Sequence, residues 1–146
     1  MESIASQLEN NINNYLPGLR AIDDVKASLK SSPLKWSKKQ ILGHLIDSAA
    51  NNHQRFVRCQ FEEQPLISYN QDKWNEAGHY QEMDTRHLTR LWLVYNLHLA
   101  KLIALIPEEK GKRKCLTAPG TAVTLEFLIN DYVVHLEHHL RQLTAY

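Results

Sequence analysis

Apolar residues at Ile4, Leu8, Ile12, Leu16 and Leu19 recur at spacings of three and four, the period of a helix that buries one face. Pro17-Gly18 is expected to kink or interrupt it. A short helical turn is predicted over Asp23 to Leu29, and Ser31-Ser32-Pro33 breaks the pattern. Ser37 and Gln40 stand at capping-box spacing and open a second helix running to about Glu62. From Glu63 to Met83 no period is sustained, over a length beyond most connections in compact domains. Such a stretch either walls a site or packs irregularly. Asp84 caps a third helix with the cleanest stripe in the chain: Leu88, Leu91, Trp92, Tyr95, Leu99, Leu102, Ile103 and Ile106, ended by Pro107. The polar run Glu108 to Lys114 and the turn Ala118-Pro119-Gly120 make another long connection, with a short extended piece at Thr121 to Val123. Thr124 caps the last helix, which runs through Thr144.

Four helices of this length predict an all-α fold, a four-helix bundle with two long connections, as one domain over residues 1–146. Connections of this size can cross the end of a bundle and alter the up-down order. The hydrophobic content of 43% suffices for one core. Lys plus Arg (17) and Asp plus Glu (16) nearly cancel, so the cationic field that drives binding to nucleic acid or an anionic membrane is missing. No run approaches the roughly 20 apolar residues of a membrane span, and the start of the chain does not read as a secretory leader, so a cytoplasmic protein is expected. A small molecule is the expected partner. A homodimer is a further expectation, since bundles of this size often leave an apolar face over. With only Cys59 and Cys115, metal chemistry would have to use nitrogen and oxygen ligands, and Cys115 reads as a passive surface thiol.

Histidine changes the picture. Eight are present, three of them within His135-Leu136-Glu137-His138-His139. At 100° per residue, Leu125, Leu128, Ile129, Tyr132, Leu136 and Leu143 define the buried stripe of the last helix. His139 falls within it, His135 on its edge, and His138 farther toward solvent. His135 and His139, four apart, lie one above the other and can take adjacent positions on one ion. In the second helix His44, Asn51 and Arg55 line one edge of the stripe Ile41, Leu45, Ser48, Asn52, Phe56 and Cys59. Buried polar groups cost about 1–3 kcal/mol each unless satisfied, so a polar inner edge implies something polar in front of it. Three neutral imidazoles with open positions are the arrangement of catalytic rather than structural zinc sites, and imidazole suits nickel, copper and iron as well. His53, His79, His87 and His98 read as ordinary surface or hydrogen-bonded residues.

Trp36-Ser37 followed by Gln40-Ile41-Leu42-Gly43-His44-Leu45-Ile46-Asp47-Ser48, together with His135 to Gln142, resembles the DinB-like superfamily, which includes the YfiT-type metal-dependent hydrolases. The likeness extends over nearly the whole chain in the order of elements. It implies a four-helix bundle with two long connections and a nickel or zinc ion bound by one histidine of the second helix and two of the last, here His44, His135 and His139. Tyr69 to Trp74 resembles the family's connection after the second helix, which would wall the pocket. Several relatives are thiol S-transferases that use bacillithiol, mycothiol or glutathione, so a low-molecular-weight thiol is an implied cosubstrate.

Around such a site, Asp47 either receives a ring N–H or faces solvent, and Asp131, four before His135, is placed to hold that ring. Arg55 either grips a carboxylate of a ligand or pairs with an acidic neighbour. Asn51 and Ser48 offer substrate hydrogen bonds or polar packing, while Glu137 points away. Three classes stay open: a metal-dependent thiol S-transferase, a metal-dependent hydrolase of small amides or esters, and a non-catalytic metal-binding stress-response protein.

Overall fold

A computed structural model describes residues 1–145. Its elements are α1 (Glu2–Arg20), α2 (Asp24–Ala27), α3 (Lys38–Arg58), α4 (Gln71–Ala77), α5 (Thr85–Leu105), β1 (Lys114–Ala118), β2 (Thr121–Thr124) and α6 (Leu125–Thr144), with single 3-10 turns at Tyr80–Glu82 and Glu108–Lys112. The four long helices form the bundle. α1 and α3 are each flanked by α5 and α6, so they stand at opposite corners. Residues 21–37 and 106–124 therefore join diagonal helices across the ends of the bundle, while residues 59–84 join neighbours. The simple up-down order is replaced by this crossed one.

Helix starts follow local chemistry. Ser37 and Gln40 form the reciprocal capping box expected of α3, each side chain accepting the other's backbone N–H at 3.2 and 3.1 Å. Asp84 accepts from Arg86 and His87 at the head of α5, and Thr124 from Phe127 at the head of α6. Such caps contribute about 1 kcal/mol apiece. The core gathers Leu8 and Ile12, Leu45 and Phe56, Trp92 and Leu99, and Ile129, Tyr132 and Leu136 from the four helices. Leu91, expected in the α5 stripe, is exposed.

Several expectations need correction. Pro17 does not interrupt α1, which continues to Arg20: the missing N–H falls in the last turn, where little helix remains to be disrupted. α3 ends at Arg58 rather than near Glu62. The stretch Glu63 to Met83 is not featureless. It contains α4, capped by Asn70 and too short to display a period, and a turn carrying Tyr80. Before Thr121 lies β1, which pairs antiparallel with β2 around Pro119-Gly120, where Gly120 takes the positive φ of 75° that the turn requires. Cys115 sits inside β1, fully buried beside the Pro65 carbonyl, so it is not a surface thiol.

The connection from α3 to α5 is held down by Tyr80. Its ring lies in a slot between Gly43 and Gly78, where a Cβ on Gly43 would come within 2.1 Å of Cδ2 and one on Gly78 within 2.5 Å of Cε2. At the end of the slot the hydroxyl donates to Asp47. Asn75 of α4 donates to the Gln40 carbonyl at 2.7 Å, and Gln81 accepts from Ser37 at 2.6 Å. Replacement Gly43→Ala would gain about 1 kcal/mol of helix propensity but expel the ring from its slot. A net loss of about 2 kcal/mol is expected in urea unfolding. A variant as stable as the parent would show that the slot does not fix the connection.

Candidate metal centre

α3 and α6 pack along one seam, and their imidazoles meet there. His44 Nε2 lies 3.0 Å from His135 Nε2. The ring centroids of His44, His135 and His139 are 4.6 to 5.0 Å apart, and one potential ligand atom from each lies within 4.8 Å of the others. The three histidines selected by helical phase are thus the three that converge. His44 is 1% exposed, while His135 and His139 are partly exposed and His138 faces solvent.

The cluster contains no carboxylate, and burial dominates its electrostatics. Desolvation, reinforced by the neighbouring imidazoles, lowers both His44 and His135 to about 4. His139 is lowered as well, chiefly by desolvation. The rings are neutral at neutral pH and offer lone pairs, as metal ligation requires. This donor set fits a borderline divalent ion such as zinc or nickel.

Groups behind the rings bear on their orientation. Gln142 Oε1 lies 2.7 Å from His139 Nδ1, so a proton on Nδ1 leaves the Nε2 lone pair free. The same amide donates to His138 Nε2 at 3.2 Å, which orients it. Gln142 belongs to the histidine motif but carries no recognisable signal of this role; only its position one turn after His138 hints at it. Trp36 lies over His44 with ring centroids 5.0 Å apart. Trp36, Ile41, Lys35, Asp72, His139 and Gln142 border a cleft of about 620 Å³ that opens in front of the site.

The other sequence candidates separate. Asp47 is 4% exposed and not at the solvent: the connection covers it and Tyr80 holds one oxygen, while Oδ2 has no partner among the described residues. His44 Nδ1, on the same helix three residues earlier, is likewise buried without a partner. Arg55 grips no acidic residue. Its Nε and a terminal nitrogen both donate to the Ile67 carbonyl, at 3.2 and 2.8 Å, pinning the connection instead. Asn51 is buried and donates back to the Asp47 carbonyl at 2.9 Å. Asp131 is exposed and makes no hydrogen bond to His135, although its charge raises that ring's proton affinity. Glu137 pairs with Arg141, 2.5 Å away, outside the cluster.

A family model described as the DinB superfamily matches residues 7–143. The chain belongs to the DinB superfamily. Among its relatives is the "putative metal-dependent hydrolase YfiT" of Bacillus subtilis, 31% identical over 114 residues that cover 75% of this chain and 62% of that protein. Another, from Bacillus cereus and carrying the same description, is 27% identical over 139 residues, 86% of this chain and 75% of that one. The solved structure of YfiT from Bacillus subtilis, whose four-helix bundle is described as unusual in topology, superimposes with a TM-score of 0.86 at 23% identity, covering 97% of this chain and 82% of that chain. A mycothiol-dependent maleylpyruvate isomerase superimposes with a TM-score of 0.74 at 14% identity, covering 98% of this chain and 58% of that chain. These superpositions establish the fold.

The buried site has a signed pH signature in metal-free protein. Unfolded histidines take up protons near 6.5 but folded His44 and His135 only near 4, so these two lose stability as the pH falls from about 6.5 toward 4. Asp47 runs the other way. Burial raises it from 3.8 to about 6, so the folded carboxyl binds its proton first and recovers stability over part of the same window. Asp47→Asn is therefore expected to steepen the acid loss. Urea midpoints at pH 7 and about 4.5, in chelator, measure it; equal slopes for parent and variant would contradict the opposition.

Proposed function

We propose that the chain is a metal-dependent enzyme in which His44, His135 and His139 hold a divalent ion, nickel or zinc, that activates a nucleophile for attack on a small-molecule substrate. The observation that carries this reading is the convergence of three neutral imidazoles beside a cleft, with no fourth His, Cys, Asp or Glu among the described residues to close the set. A non-catalytic storage or structural site would be served by a fourth protein ligand.

The preferred chemistry is thiol S-transfer. When bound, the ion supplies Lewis acidity, which deprotonates a coordinated thiol outright and brings a coordinated water to a pKa near ~7. Hydrolysis would additionally call for a general base, and the carboxylates near the cluster are engaged or remote: Asp47 is bonded to Tyr80 and Glu137 to Arg141. A thiol nucleophile needs no such base. The likeness of fold to a mycothiol-dependent isomerase agrees with a low-molecular-weight thiol as cosubstrate. Hydrolysis of a small amide or ester is the second reading, favoured by the description of the Bacillus relatives as metal-dependent hydrolases.

Within either reading the side chains have separable tasks. Gln142 accepts the His139 Nδ1–H and so presents the Nε2 lone pair. Asp47 Oδ2 and His44 Nδ1, three residues apart on α3, are both buried without a partner among the described residues and are chemically complementary, so a side-chain rotation that joins them would let Asp47 receive the His44 Nδ1–H while Tyr80 holds its other oxygen. Trp36 and Ile41 shield the inner cleft from water, while Lys35 and Asp72 present charge toward a polar substrate.

Elemental analysis of protein purified from metal-supplemented cells is expected to give one ion per chain, lost in His44→Ala, His135→Ala and His139→Ala. Full stoichiometric metal in all three variants would sink the site. Loaded protein incubated with bacillithiol, mycothiol or glutathione and an electrophile is expected to consume thiol above the metal-free control. Ester or amide cleavage without thiol consumption would select the hydrolase instead.

A further inference from the structure

α3 carries a second histidine whose position relative to His44 is informative. His53 lies nine residues on, and nine steps of 100° make two and a half turns, so the two rings leave α3 on opposite flanks. His44 meets α6, whereas His53 meets α5, the other neighbour of α3. Across that second seam the rings of His53 and His98 approach to a centroid separation of 5.2 Å at an interplanar angle of 72°. Tyr95, one turn before His98, places its hydroxyl 3.0 Å from His53 Nδ1.

The separation leaves room for a shared ion. Two imidazoles sharing an ion about 2.1 Å from each donor nitrogen, at an angle of about 90 to 109°, have ring centroids about 4.6 to 5.3 Å apart. The three rings of the α3–α6 seam fall in that interval, at 4.6 to 5.0 Å, and so does the His53–His98 pair. The same interval is ordinary for T-shaped ring packing, as between His138 and His139 at 5.1 Å, so what favours a ligand here is the Tyr95 hydroxyl on His53 Nδ1, which leaves Nε2 free beside an exposed second imidazole.

We infer that His53 and His98 form a second, solvent-facing site for a divalent transition-metal ion, with Tyr95 orienting the His53 ring. The phenol oxygen can accept the Nδ1–H of His53, which leaves the Nε2 lone pair for the ion. The exposed His98 ring makes no hydrogen bond among the described residues, so it turns toward the ion at little cost. Two protein nitrogens leave the rest of the coordination shell to water. Binding is therefore weaker and faster in exchange than at the three-histidine site, and imidazole ligation favours copper, nickel and zinc over magnesium or calcium.

Calorimetric titration of the metal-free full chain with Ni²⁺ alone is the test, combined with NMR of the imidazole signals under substoichiometric Cu²⁺. Two steps are expected, with paramagnetic broadening of His53 and His98 signals in the weaker one. His98→Ala, at an exposed position that the fold does not need, is expected to abolish the weaker step and retain the tighter one. His44→Ala should do the reverse. A single step in the parent chain, a His98→Ala variant that keeps both steps, or weak-step broadening confined to His79, His87 or His138 would overturn the inference.

Discussion

Helix α3 is buried around its whole circumference from Leu42 to Ala49, yet three of those eight positions are His44, Asp47 and Ser48. A helix in that position cannot turn its polar residues to water, so each must find a partner in the protein or in a bound group. Much of the molecule answers this constraint. α6 brings His135 and His139 to the His44 flank, and the α3–α5 connection brings Tyr80 to Asp47. Two polar atoms of this stretch are still left over, His44 Nδ1 and Asp47 Oδ2, and both belong to the site rather than to the hydrophobic core. Asn11, Asn75, Thr89 and Trp92 also carry a buried polar atom without a partner among the described residues, so it is the chemical complementarity of this pair, not its number, that points to the site.

The same burial prepares the site electrically. Desolvation strips the histidines of their protons at neutral pH, so the three rings carry no charge before any cation arrives. A divalent ion then meets three neutral donors without having to displace protons at physiological pH. Carboxylates are kept away from the cluster itself: Asp131 acts on His135 only through space, and Glu137 is engaged by Arg141. In the proposed metal-loaded state the cluster would therefore stay positive, which suits an anionic nucleophile such as a thiolate.

The bundle and the three converging histidines were legible because both depend on local periodicity. The 3.6-residue phase that hides Leu136 also aims His139 inward, and a capping box at Ser37 starts α3 in register with His44. What was not legible depends on contacts between distant positions. Gly43 reads as a mild flaw in a helix until the ring of Tyr80, 37 positions later, is seen lying against it. Arg55 reads as a ligand-binding cation until the Ile67 carbonyl is found at its tip, and α4 spans too few residues to show a period at all. For Asp47 the two surroundings stayed open for the same reason: a helical wheel reports direction, and cannot tell whether water or a covering loop lies there.

The crossed topology explains why one helix carries so much. α1 occupies the corner opposite α3 and contributes Leu8 and Ile12 to the core, with no histidine along its length. α3, set between α5 and α6, is the only long helix that contributes a histidine to both of the imidazole seams described here. Its sequence separates those duties by half a turn, so His44 and His53 do not compete for a neighbour. The α3–α5 connection lays Tyr80 over Asp47 and the α1–α3 connection lays Trp36 over His44, while the second flank stays open at His98. Enclosure, rather than the number of histidines alone, therefore separates the seam proposed to hold a catalytic ion from the one proposed to exchange an ion with solvent.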